Sequence, residues 1–190
     1  MTADSDKLPL DSDTTWLHSN QPRLSLFMAN RGDVVVKGVL RVRHQYSDHP
    51  IDDSYKILVV FNKALNYRPI ATETGGRLDE VMGRRGLSNA DLHMYDDNTL
   101  CLMTPQEMDL VYLPNRSIRL LIDNYLIPYF YSQSYFDKND GSWPWPHHSH
   151  NLTGLLEWYR DNHLLPDAAK STQDALRQLK GEAANAFIVR

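Results

Sequence analysis

Between Arg23 and Thr74 the chain lays down one strand-like segment after another, joined by turns too short to hold a helix. Parallel neighbours need a crossover of a dozen or more residues, so this spacing confines the segments to an antiparallel meander. Leu24, Leu26 and Met28 alternate with Ser25, Phe27 and Ala29, and Asn30-Arg31-Gly32-Asp33 supplies a turn. Val34 to Tyr46 follows, with Val39, Leu40, Val42 and His44 set off by Arg41, Arg43 and Gln45 in its second half. After a polar loop, Ser47-Asp48-His49-Pro50, the run Tyr55 to Phe61 reads as a strand buried on both faces. A shorter extended piece, Arg68 to Thr74, ends at Gly75-Gly76, and a Gly-, Arg- and Asn-rich loop is expected from there to Asp91. Four strands result.

The period then changes. Ser117 can cap a long helix from Ile118, because Leu120, Leu121, Ile122, Tyr125, Leu126, Tyr129 and Phe130 recur at helical spacing, with a kink expected at Pro128. The aromatic run Tyr125, Tyr129, Phe130, Tyr131 and Tyr135 belongs to helix packing on this spacing rather than to a ligand box. Asn139 to Pro146 is a loop, and Leu152 to Tyr159 and Ala168 to Leu179 look helical. Strands first and helices afterwards predict an α+β fold with a four-stranded antiparallel meander and helices on one face. At 190 residues one domain over 1–190 is expected, with a poorly defined segment over 1–20 that holds one short helix, and a helical C-terminal extension over 162–190.

A formal net charge of -4 supplies no broad positive field for phosphates, so nucleic acid is not an expected partner. The first residues lack a basic stretch followed by an apolar one, and no run of about 18 apolar residues occurs. A cytoplasmic protein without membrane contact is the expectation. Cys101 is the single cysteine, so neither an internal disulfide nor a multi-cysteine zinc site can account for it. Two readings stand: an inert core residue between Leu100 and Leu102, or a reactive thiol.

The surrounding residues bear on that choice. The stretch Asp91-Leu92-His93-Met94-Tyr95-Asp96-Asp97-Asn98-Thr99-Leu100-Cys101-Leu102 resembles the active-site segment of ubiquitin-conjugating (E2) enzymes, in which a His and a polar turn precede a Cys between aliphatic residues. Asn66-Tyr67-Arg68-Pro69-Ile70 resembles the Tyr-Pro-rich approach to the corresponding E2 strand, and the elements come in the same order. Leu100-Cys101-Leu102, Thr104-Pro105-Gln106-Glu107 and the later Trp143-Pro144-Trp145 with His150, Gly154 and Glu157 are similar to the divergent bacterial branch found in CBASS anti-phage operons. The resemblance spans roughly residues 20–160. It departs from eukaryotic E2 enzymes in lacking their His-Pro-Asn triplet.

The resemblance implies a UBC-like (E2) fold and a transferase that carries a protein C terminus, that of a cGAS-like nucleotidyltransferase, as a thioester on Cys101. The acceptor would be an amine, such as a lysine of a target protein. A cysteine suits such a relay because its thiolate is both a strong nucleophile and a workable leaving group, whereas Ser or Thr would form a more stable ester. Negative charge develops on oxygen in each transfer, and one well-placed donor there is worth about 3 kcal/mol. His93 and Asn98 are the two candidates for that donor, and His93 is also a candidate proton acceptor. Asn98 has a structural alternative as a turn former. Asp96 and Asp97 would oppose thiolate formation while favouring an approaching lysine.

No cofactor is expected. No Gly-rich nucleotide-binding turn follows a strand, so ATP-dependent activation of the donor carboxylate falls to another component. His147, His148 and His150 form a His-His-x-His cluster without a carboxylate or cysteine at zinc-ligand spacing, so no metal is assigned there, and a metal-dependent hydrolase is the third-ranked alternative. The second is a non-catalytic E2-fold module that binds the cyclase C terminus without a covalent bond.

Overall fold

The meander is present and complete. In a computed structural model that describes residues 8–29, 31–46 and 48–144, the strands are β1 (Leu24–Met28), β2 (Val34–Tyr46), β3 (His49–Asn62) and β4 (Arg68–Glu73). They lie in the order β1-β2-β3-β4, every neighbouring pair antiparallel. Helix α1 (Leu10–Asn20) precedes them. The helices expected beyond residue 150, the extension over 162–190 and the His147, His148 and His150 cluster lie outside the described residues.

One face of the sheet makes the core. Val34, Val36, Leu40 and Val42 on β2 lie in register with Phe61, Val59, Tyr55 and Asp53 on β3, and all but Asp53 are buried. Against them pack Leu121, Ile122, Leu126, Phe130 and Tyr131 from the helical stretch that follows. Gly38 sits mid-strand at φ +142, where a Cβ would meet the Arg23 carbonyl oxygen at 2.2 Å. That carbonyl accepts the Val39 N–H at 3.0 Å, so the glycine lets β1 join β2 closely.

Two expectations for β3 change. His49 and Pro50 belong to the strand rather than to a loop, since pairing runs out to Tyr46 opposite His49. Tyrosines of a distant helix support this end: Tyr131 donates to the His49 carbonyl at 2.8 Å, and the His44 and His49 rings meet Tyr131 and Tyr135 edge-on at 5.4 and 5.1 Å. Nor is Tyr55 to Phe61 buried on both faces. Tyr55, Ile57, Val59 and Phe61 are buried, whereas Leu58 and Val60 are half-buried and Lys56 is exposed on the outer face.

The expected loop after Gly75-Gly76 is instead a helix, α2 (Arg77–Arg85). Leu78 and Val81, one turn apart, are its buried residues. Gly76 and Gly86 take left-handed backbone at its two ends, so the glycines delimit a helix instead of preventing one. Its first N–H groups are met from outside by the Glu73 carboxylate, which accepts from Arg77 N at 3.0 Å.

The long helix forms from Ser117 as expected. The Ser117 hydroxyl accepts from Leu120 N at 2.9 Å, and α4 (Ile118–Leu121) and α5 (Ile127–Lys138) are joined by a π-type turn over Ile122–Leu126. The wide turn ends where Pro128, which has no N–H to donate, enters α5. A second cap comes from α1: the buried Asp13 carboxylate accepts from Ile118 N at 2.7 Å and Arg119 N at 3.2 Å. Tyr125, Tyr129, Phe130 and Tyr131 are buried, which agrees with their reading as packing residues, and Tyr135 is half-buried. No described helix is long and apolar enough to cross a membrane.

A polar knot ties sheet to helices. Arg77 of α2 grips Asp53 of β3 with both terminal nitrogens, and Ser134 and Lys138 of α5 reach the same carboxylate at 3.0 and 3.3 Å. The Arg77 guanidinium also lies 4.5 Å from the centre of the Tyr55 ring. Partial burial pushes the Asp53 carboxyl up, but the Arg77 fork, Ser134 and Lys138 outweigh it and hold it well below the usual carboxylate range. A carboxyl depressed on folding contributes stability above its unfolded pKa of about 4 and loses it as pH falls through the folded value. Asp53→Asn should therefore lower stability at pH 7 by about 2 kcal/mol. Urea midpoints should show the gap between wild type and variant shrinking as the pH is taken below about 4.

Candidate functional site

Cys101 sits at the end of a small hairpin docked on the free edge of β4. Leu100 N donates to Ala71 O at 2.8 Å, and Thr99 bridges to Thr72, so the hairpin extends the sheet by a short fifth segment. Within it Met94 pairs with Leu100, Tyr95 N donates to Thr99 O at 2.8 Å, and Cys101 N donates to His93 O at 2.8 Å. Leu92 and Leu100 are buried, which spends the core positions on either side. Cys101 itself is half-buried.

The structure brings His93 and Cys101 together through the backbone. His93 ends a 3-10 turn (Ala90–Leu92) with left-handed φ of 54°, and its ring meets the Trp143 indole edge-on at 5.9 Å. Trp143 in turn packs on Phe136 of α5, with centroids 4.3 Å apart. Trp143 thus stands at the His93 side of the site. Its companion Trp145 lies outside the described residues.

Asn98 is placed as a turn residue. It adopts φ of 64°, its N–H donates to Tyr95 O at 2.9 Å, and its side-chain oxygen accepts from Asn89 Nδ2 at 2.9 Å. The neighbouring Asp97 carboxylate accepts from the Thr99 hydroxyl at 2.6 Å and from Thr99 N at 3.0 Å, which hold its pKa below the usual value. Asp96 is exposed. The acidic turn therefore faces solvent on the approach to the thiol's hairpin.

Sequence reasoning passed over Tyr95, Asn89, Tyr129 and Gln133. Tyr95 lies diagonally across the hairpin from Cys101, and partial burial, with the neighbouring thiol adding to it, pushes the phenol's pKa up to about 12. Tyr129 of α5 donates to the buried Leu92 carbonyl at 2.7 Å, and Gln133 Nε2 joins it at 2.9 Å. Burial raises the Tyr129 pKa well above its ordinary value, with the charges of Tyr55 and Cys101 adding to the effect. Tyr129 was legible as a core aromatic by its spacing, but nothing local reveals where its hydroxyl points.

Beside the thiol is a cleft of about 170 Å³, lined by Ile70, Tyr95, Leu100, Leu102, Met103 and Met108 among others. Its floor is apolar, and Ile70 at 41% exposure contributes its open side. Thr104 caps the next helical turn, α3 (Pro105–Glu107), by accepting from Glu107 N at 3.1 Å, which carries Met108 back against the cleft. Among the described residues no group of three or more His, Cys, Asp or Glu side chains is placed to hold a metal ion.

No family model, characterised relative or solved structure matches the chain. Its own geometry offers a half-buried thiol on a braced hairpin with an apolar cleft alongside.

The turn can be tested directly. A left-handed conformation costs a residue with a Cβ about 1–2 kcal/mol, and the bond from Asn89 is worth about 1 kcal/mol. Asn98→Ala should destabilise the protein in urea titrations, and Asn98→Gly, which relieves the backbone, should do so by about half as much. Equal losses would place the whole cost in the Asn89 bond.

Proposed function

We propose that the protein is an E2-like transferase that carries an acyl group as a thioester on Cys101 and passes it to an amine, and that its fold is UBC-like. The single observation behind this is the position of Cys101: half-buried at the end of a hairpin locked to the sheet edge, next to an apolar cleft. An inert core cysteine has no need of such a setting, since Leu100 already fills the core position beside it. The four-stranded meander followed by the Cys101 segment and a long helix is compatible with this fold.

On this reading the donor is a protein C terminus, that of a cGAS-like nucleotidyltransferase in an anti-phage operon, and the acceptor a lysine or other amine. The support for that pairing is the resemblance of Leu100-Cys101-Leu102, Thr104 to Glu107 and the Trp143-Pro144-Trp145 segment to the CBASS branch. An extended C-terminal tail has a place to lie in the cleft along β4, with its terminal carbonyl toward the sulfur. Loading forms a C–S bond by thioester exchange, and transfer replaces it with a C–N bond.

A second reading has an observation of its own. The cleft is lined by Leu100 and Leu102 without the sulfur between them, an arrangement that also suits a module holding a tail without bonding to it. Coexpression with the operon partners separates the two. Cys101→Ala should abolish both the reductant-sensitive adduct seen by intact-mass spectrometry and all conjugates, while Cys101→Ser should trap an ester. Conjugates at wild-type levels in Cys101→Ala would remove the transferase reading.

A further inference from the structure

The outer face of the sheet, opposite the helices, carries an apolar row of its own. Phe27 of β1 lies in register with Val35 of β2, Val35 with Val60 of β3, and Val60 with Ile70 of β4. Strand alternation sends these four side chains away from the core that Val34, Val36, Val59 and Phe61 build on the other face. The row is not level. Phe27 and Ile70 stand out at 47% and 41% exposure, whereas Val35 between them is buried and Val60 half-buried. Two projecting side chains thus bracket a shallow apolar trough that crosses all four strands.

The next rows on this face are Ser25, Lys37, Leu58 and Thr72, then Val39 and Lys56, with the Arg23 carbonyl accepting from Val39 N. Rows on one face are about 7 Å apart and strands about 5 Å, so Arg23, Lys37 and Lys56 gather within about 15 Å of the trough's centre. All three are exposed, and among the described residues none forms an ion pair. The carboxylates of this face are already engaged, Asp52 by Arg41 at 2.7 Å and Asp33 by Lys63 N at 2.8 Å. On a chain of net charge -4, the cations beside the trough are a local reversal of sign.

The pattern selects an occupant. A second copy is disfavoured, because a two-fold contact sets these cations against one another. A bilayer is a poor match, because the middle of the row is recessed and only its ends project. A nucleic-acid strand stacks on aromatic platforms, and Phe27 is the one ring in these rows. We propose that this face docks an acidic segment of a partner protein, with apolar side chains in the trough and carboxylates on Arg23, Lys37 and Lys56. Ile70 also lines the cleft beside Cys101, so the trough runs out at the candidate site. Asp96 and Asp97 stand past β4, on the hairpin that Thr99 joins to Thr72. The segment therefore points its carboxylates toward β1 to β3 and away from that turn. Three rows over four strands span roughly 200 Å² of sheet, which places the contact in the weak, transient class. Docking here stands whether or not the thiol carries an acyl group.

The probe is a fluorescein-labelled peptide of alternating Leu and Glu, titrated against the full chain by fluorescence anisotropy. Two control peptides replace Leu with Ser, or Glu with Lys. Wild type should bind the Leu-Glu peptide saturably below about 1 mM, and the Ser replacement should weaken binding about tenfold. Lys37→Glu with Lys56→Glu should cost about tenfold for the Leu-Glu peptide and create binding of the Leu-Lys peptide, a swap that charge pairing at this face produces. Phe27→Ser should cost about threefold. The lysine pair, both exposed, is the readout if Phe27→Ser does not fold. Absence of saturable binding, equal affinity for the Ser peptide, or wild-type affinity in the lysine variant would each overturn the proposal. So would a dimer by light scattering that Phe27→Ser dissolves, which assigns the face to a second copy, or binding to phosphatidylserine vesicles with none to the peptide. Unchanged peptide affinity in Cys101→Ala supports a docking face that is separable from the transferase reading.

Discussion

The buried carbonyl of Leu92 is where the candidate site is fastened to the rest of the molecule. Two side chains of α5, Tyr129 and Gln133, donate to this one oxygen, and Leu92 itself is fully buried. A buried carbonyl left without partners costs about 1–3 kcal/mol, so the pair fixes both the height of the hairpin and the rotation of the helix. His93 follows at once, and its carbonyl accepts from Cys101 N. The position of the thiol is thus set from the helix side through Leu92 and from the sheet side through Leu100 on Ala71.

That arrangement only works if α5 is itself held at a fixed place on the sheet. Apolar packing by Phe130 and Tyr131 supplies the adhesion but is not directional. Direction comes from Asp53, whose carboxylate is shared by Arg77, Ser134 and Lys138, and from the Tyr55 hydroxyl, which lies 2.7 Å from the Ser134 oxygen. The same knot anchors α2 through Arg77, and α2 also sends Arg84 and Arg85 to Asp137 on α5. Asp13 does a related task at the other end by capping α4 from α1. Polar contacts therefore register the helices, and apolar contacts hold them down.

Much of the fold was legible because period and punctuation agree. Val34 to Tyr46 was bounded at both ends as β2, and Ser117 marked the start of the long helix, since strand alternation and a capping hydroxyl are local signals. The α2 helix was missed for a reason equally local: Gly75, Gly76 and Gly86 read as breakers when two of them are caps, and the capping carboxylate comes from Glu73 in the preceding strand. The first half of β3 was missed because its support is remote, from tyrosines of α5 more than eighty residues away. At the candidate site, Cys101 and His93 stand out through the resemblance of their segment. The bracing by Asn89 does not, because its amide reaches across the turn to the Tyr95 carbonyl and the Asn98 side chain, contacts that no local pattern encodes.

Of the two roles weighed for Asn98, oxyanion donor and turn former, the second is the one its geometry describes. Its left-handed backbone and its bond from Asn89 shape the turn. An asparagine there acts through a side chain that braces a backbone. The same logic bears on Asp97, whose carboxylate is fixed by the Thr99 hydroxyl and N–H and held below its usual pKa, so that it stays charged and draws cations toward the turn. The solvent-facing turn thus keeps a fixed negative charge beside the hairpin that carries Cys101, and the physical cause of that charge is the pair of Thr99 donors rather than solvent alone.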